Sequence, residues 1–176
     1  MFPTIARIFS VAMFLFLSDL CFGQNDPVPP YLTKQDFPDS VKNVSVLTLE
    51  GDTLTFFEMM SQFRGKKVVL DIWASWCRDC IVGLPKLRKL QAKASEDNVV
   101  FLMLSVDTNP QKWKLAIDRF SIRGPHFRVA RGWRTPLANY IALDWVPRYI
   151  VFDEQGRITM PKAIEAEQID ASLVIE

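Results

Sequence analysis

Val68-Val69-Leu70-Asp71-Ile72-Trp73-Ala74-Ser75-Trp76-Cys77-Arg78-Asp79-Cys80 is the stretch on which the fold of this chain turns. Residues 68–73 form a nearly continuous apolar run, the pattern of a strand buried on both faces of a largely parallel sheet. Asp71 interrupts that run, and a carboxylate in such a place requires a reason. Downstream, Ile81, Leu84, Leu87 and Leu90 recur at helical spacing while Lys86, Arg88, Lys89 and Lys93 take the other faces, which predicts a helix over residues 78–94, kinked at Pro85. Cys77 therefore stands at a strand-to-helix junction and Cys80 within the first helical turn. Unpaired backbone N–H groups and the positive end of the helix dipole favour a thiolate at Cys77. The two-residue spacing lets Cys80 resolve a mixed disulfide formed by Cys77.

Working outward, Val44-Ser45-Val46-Leu47-Thr48-Leu49 alternates, Gly51-Asp52 turns, and Thr53-Leu54-Thr55-Phe56 returns, which predicts a β-hairpin. Residues 99–106 form a second buried strand, and Asn109-Pro110 supplies a helix cap with proline at the first helical position, the helix presenting Trp113, Ile117 and Phe120 on one face. Thr135-Pro136 opens a shorter helix by the same logic. Residues 149–152 and 157–160 are strands joined by the turn 153–156, and a last helix is expected from residue 163 towards residue 175. Strands alternating with helices and ending in a hairpin imply an α/β fold with a central mixed sheet covered on both faces.

The chain has 176 residues, of which 49% are hydrophobic, enough for one compact domain. With 21 Lys and Arg against 20 Asp and Glu and a formal charge of +1, there is no electrostatic case for nucleic acid. At the N-terminus, Arg7 precedes an apolar run over residues 8–17 that Ser18-Asp19 cuts short of the ~20 residues of a membrane span. The layout is that of a signal peptide over residues 1–23, with cleavage expected between Gly23 and Gln24, and a membrane-anchored form as the alternative. A lipoprotein reading through Cys21 lacks the small residues before the cysteine that such processing prefers. Cleavage after Gly23 leaves the mature chain with Cys77 and Cys80 alone. Residues 24–40, with Pro27, Pro29, Pro30 and Pro38, read as a stiff leader, and residues 41–176 as the folded domain.

Two other uses of a CxxC pair are weaker. A structural zinc site needs about four Cys or His ligands, against two cysteines and His126. A structural disulfide closing so short a loop constrains the unfolded chain little.

The strand, the Trp76-Cys77-Arg78-Asp79-Cys80 motif, Pro85 five residues after the second cysteine, and the later Trp145-Val146-Pro147 together resemble the thioredoxin superfamily. The leading hairpin and the long segment between Val106 and Val129 make the chain most similar to its exported TlpA/ResA-like branch, over residues 41–176. The resemblance implies a thioredoxin-like three-layer α/β/α sandwich with an N-terminal β-hairpin extension. It also implies thiol-disulfide oxidoreductase activity without a cofactor or metal, on protein disulfide or dithiol substrates, by a monomer. Cys77 is then the nucleophile, Cys80 the buried resolving thiol, and Asp71 the buried acid that accepts the Cys80 proton, its pKa raised by desolvation. The other possibility for Asp71 is a carboxylate at the sheet edge with a hydrogen-bond partner. Pro147 is expected as a cis-proline facing the disulfide and Val146 as the backbone that receives an extended substrate, with Trp76 and Trp73 as packing and a hydrophobic collar. His126 reads as a surface or loop residue.

The exported relatives act mostly as reductants, which implies a membrane thiol-reductase donor and, as client classes, apocytochrome c or damaged secreted proteins. The chain departs from the pattern in carrying Arg78-Asp79 between its cysteines, and Gly83 where ResA-like proteins often carry Glu. Two alternatives remain. A peroxiredoxin-like peroxidase would have Thr where Ala74 stands, and a Sco-like copper-delivery module would want CxxxC and a distal His, for which only His126 is present.

Overall fold

The computed structural model describes residues 36–94 and 98–169; the expected signal peptide, most of the expected leader and the end of the last expected helix lie outside the described residues. The elements run α1 (Asp39–Lys42), β1 (Ser45–Leu47), β2 (Thr53–Thr55), α2 (Phe56–Ser61), β3 (Lys67–Trp73), α3 (Arg78–Lys93), β4 (Val99–Ser105), α4 (Pro110–Phe120), β5 (His126–Val129), α5 (Pro136–Tyr140), β6 (Arg148–Phe152) and β7 (Ile158–Ala163), then a 3-10 turn over Ala166–Gln168. The strands form one seven-stranded mixed sheet in the order β2-β1-β5-β4-β3-β6-β7. β3 is parallel to β4 and β4 to β5, while β6 runs antiparallel to β3 and β7 to β6.

The apolar runs read as buried strands become the middle of this sheet. Val69, Leu70 and Ile72 on β3, Leu102 and Leu104 on β4, and Ile150, Val151 and Phe152 on β6 are all buried. Helices start where the capping chemistry allows. Asn109 accepts from the Lys112 N–H ahead of Pro110, and Thr135 accepts from the Ala138 N–H ahead of Pro136. α3 runs unbroken through Pro85. Trp113 of α4 is fully buried, with Ile117 and Phe120 packed against the same core.

The structure departs from the sequence reading at three places. Phe56 starts a helix instead of ending a strand, because Thr55 and Glu58 form a reciprocal capping box that turns the chain out of the hairpin. Residue 163 ends a strand instead of starting a helix. Ala163 pairs with Tyr149, and Pro161 is tolerated because β7 is the sheet edge. Finally, Phe37, assigned to the leader, packs within 5.2 Å of Phe56, 5.4 Å of Tyr140 and 5.9 Å of Phe152, and the Tyr140 hydroxyl donates to the Asp36 carbonyl at 2.7 Å. The packed domain thus takes in the last leader residues.

Candidate active site

Two loops converge at the carboxyl end of β3. The first leaves β3 through Ala74, Ser75 and Trp76 and enters α3 at Cys77, whose N–H donates to the Ala74 carbonyl at 3.1 Å. Cys77 is the N-cap of α3, and its Sγ accepts from the Cys80 N–H at 3.0 Å. A sulfur thus fills the place an oxygen takes in ordinary helix caps, at the end of the helix where negative charge is most stable. Cys77 and Cys80 form a disulfide, and both are buried.

The second loop joins α5 to β6 and carries Trp145, Val146 and Pro147. The Val146–Pro147 bond is cis, and the Val146 carbonyl oxygen lies 3.3 Å from Cys77 Sγ. In the disulfide that approach is a contact; in the dithiol the Cys77 S–H can donate across it. Trp76 and Trp145, 57% and 58% exposed, flank the disulfide with Val82. Trp76 stacks obliquely on Trp133 at 6.4 Å, and Trp145 Nε1 donates to Asp79 at 3.4 Å. Trp73, by contrast, is buried in the sheet and contributes nothing to this surface.

Asp71 lies beneath. β3 is flanked by β4 and β6, so this carboxylate is in the sheet interior and not at its edge. It pairs across the sheet with Tyr149, which lines a cavity together with Val82, Gly83 and Lys86 of α3, so Asp71 points to the face that α3 covers. Asp71 is 3% exposed, its Oδ1 has no hydrogen-bond partner, and burial raises its pKa to about 8. A carboxyl with that value exchanges protons with a thiol of ordinary pKa about 8.5 at little cost. The Asp71 charge adds to burial in pushing the Tyr149 hydroxyl up as well.

Sequence reasoning missed the groups that hold the two loops. Asp107, buried just past β4, accepts from the Ser75 N–H at 2.8 Å and from the Ser75 hydroxyl at 2.7 Å, and from the Ser105 hydroxyl at 2.7 Å. The Val106 N–H donates to the Trp73 carbonyl at 2.9 Å, and Arg128 donates to the Asp107 carbonyl at 3.0 Å. The first loop is thereby fastened to β4. Gly132 packs behind this joint in the left-handed region at φ 59°, where a Cβ would come within 2.9 Å of the Val106 carbonyl oxygen. The available signal was the period-two pair Ser105 and Asp107 at the end of an apolar strand. His126, expected on the surface or in a loop, opens β5 half-buried, with Nε2 3.0 Å from the Ile122 carbonyl, and burial lowers its pKa. Among the described residues no three His, Cys, Asp or Glu side chains cluster in a way that could hold a metal ion.

Against known proteins, the Redoxin family model matches residues 35–170. The chain belongs to the Redoxin family. Within it, the sequence is 28% identical to the thiol-disulfide oxidoreductase ResA of Bacillus thuringiensis over 146 residues, covering 81% of this chain and 79% of that one. It is 34% identical over 96 residues to the chloroplast thioredoxin-like protein HCF164 of Arabidopsis thaliana, and that match spans 54% of this chain but 33% of the plant protein. Among solved structures, a thiol-disulfide oxidoreductase from Bacteroides fragilis superposes with a TM-score of 0.64 at 23% identity, covering 76% of this chain and 96% of that one. A putative thiol:disulfide interchange protein DsbE from Chlorobium tepidum gives 0.62 at 19%, covering 81% and 94%. These likenesses place this Redoxin member on the thioredoxin-like fold.

Proposed function

We propose that this chain is an exported oxidoreductase that reduces disulfides in protein substrates through Cys77 and Cys80. The observation that carries this reading is a disulfide capping a helix N-terminus, 3.3 Å from a loop carbonyl and flanked by two exposed tryptophans. In the reducing direction, the Cys77 thiolate attacks one sulfur of a client disulfide and releases the other client sulfur as a thiolate. The Cys80 thiol then gives its proton to the Asp71 carboxylate and attacks Cys77 Sγ. The client's second thiolate departs, and two electrons have moved to the client, leaving the Cys77–Cys80 disulfide. Val146 and Pro147 are themselves buried beside the disulfide, so an extended client segment reaches the Val146 backbone by displacing the side chains that cover it, and exposed Trp76 supplies apolar contact.

Export is supported by the apolar run at residues 8–17 behind Arg7. The periplasm of a Gram-negative bacterium suits this reading, with a membrane thiol reductase as electron donor, since an oxidising compartment cannot regenerate the dithiol. Apocytochrome c and damaged secreted proteins are the client classes, and the chain acts as a monomer.

Equilibration with dithiothreitol and glutathione buffers, read by mass spectrometry of alkylated thiols, tests the direction. A potential near thioredoxin's, about −270 mV, is expected. A value near about −120 mV would make the protein a disulfide donor instead.

A further inference from the structure

Arg148 is the first residue of β6, immediately after Pro147, and it has no exposed side-chain surface. Its guanidinium turns back on the loop that precedes it. Nη1 donates to the Ile141 carbonyl at 2.9 Å, Nη2 donates to the Asp144 carboxylate, and Nε is buried without a partner. Both bonds grip the segment between the end of α5 and Val146, one at each end. Asp144, 65% exposed, is also reached by Lys162 from β7 at 3.3 Å. Partial burial pushes the Asp144 carboxyl up, but its own backbone N–H, Lys162 and Arg148 hold it below the usual carboxylate range.

A stability role alone does not account for this arrangement. Burying a guanidinium is unfavourable unless its donors are satisfied, and replacing buried ion pairs by apolar side chains is often neutral or stabilising. One donor here is orphaned, and the opposing charge lies mostly in water. What the arrangement does fix is the path of residues 141–147, and hence where the Val146 carbonyl sits against Cys77.

We propose that Arg148, through Ile141 and Asp144, is a positioning residue that sets the Val146–Pro147 backbone for an extended client and thereby governs client affinity. This inference rests on the reading of Val146 given above. Arg148→Met and Asp144→Asn are compared with the native protein on two substrates, a disulfide-bonded peptide and hydroxyethyl disulfide, which is too small to use the loop, and melting temperatures are recorded alongside. Both variants are expected to raise KM for the peptide about five- to tenfold, with kcat and the rate on hydroxyethyl disulfide within about twofold of native and no loss of melting temperature. Arg148→Lys restores part of the affinity. An unchanged peptide KM, or equal slowing on both substrates, overturns the proposal. Should Arg148→Met not fold, the exposed Asp144→Asn variant carries the same criteria. A native protein that reduces neither substrate refutes the oxidoreductase reading itself, and this inference with it.

Discussion

The two loops that meet at the disulfide are held in opposite ways. Residues 74–76 are fastened by a buried acid, Asp107, whose carboxylate takes hydrogen bonds from neutral donors of the loop and the strand beside it. Residues 141–147 are gripped by a buried base, Arg148, which gives to a carbonyl and to a carboxylate that is largely in solvent. The first clamp is shielded from water and fixes the reacting sulfur. The second ends in an ion pair whose carboxylate lies mostly in solvent and fixes only the backbone beside that sulfur. The more fully buried clamp thus falls on the loop that carries Cys77.

The largest effect expected from breaking this contrast is at Asp107. Asp107→Ala strips the Ser75 N–H and the Ser75 and Ser105 hydroxyls of their acceptor, and buried donors left unmade cost about 1–3 kcal/mol each. A loss of about 3–5 kcal/mol in urea unfolding is expected, together with a fall of at least tenfold in alkylation rate at reduced Cys77. Native-like stability would remove the clamp from the account.

Asp71 joins the two halves, since it lies on the strand leading into the first loop and opposite Tyr149 on the strand leaving the second. Its folded pKa of about 8 is above the unfolded value of about 3.9. Across that window the folded state keeps a proton the unfolded chain has released, so stability falls as pH rises, by up to ~1.4 kcal/mol per pH unit. Asp71→Asn is expected to be more stable than native by a margin that grows from pH 5 to pH 8, while resolution of a Cys77 mixed disulfide slows at neutral pH. A margin independent of pH would contradict the burial argument, and unchanged resolution would remove the proton-acceptor role.

The smallest effect separates the clamps by salt. Exposed ion pairs contribute about 0–1 kcal/mol and are screened, so 1 M sodium chloride should raise the peptide KM about two- to fivefold and leave Cys77 alkylation unchanged. Equal sensitivity of both would erase the distinction between the loops.

What the sequence made legible follows the same division. The strand into Cys77, the helix out of it and the alternation around them have strong periodic signals, and the structure repeats them over Lys67–Trp73 and Arg78–Lys93. The cis bond at Pro147 came from resemblance, because the local sequence contains nothing that demands it. Thr55 and Glu58 stand at capping-box spacing, but in sequence residues 53–56 read only as the return strand of the hairpin. Asp107 was hard to read because Ser75 is 32 residues away and the contact depends on β3 lying beside β4, whereas the partners of Arg148 are only 4–7 residues away but meet its guanidinium only once the loop is folded. Asp107, two residues past β4, and Arg148, at the first position of β6, look like surface charges until the topology buries them.

The most direct test of the central claim uses Cys77→Ser and Cys80→Ser, each incubated in reduced form with a disulfide-bonded peptide and examined for a mixed disulfide by mass spectrometry. With Cys77 as nucleophile and Cys80 as resolver, the mixed disulfide should accumulate on the Cys80→Ser variant and not on Cys77→Ser. Accumulation on Cys77→Ser alone would reverse the roles, and its absence from both would contradict thiol-disulfide exchange at this pair.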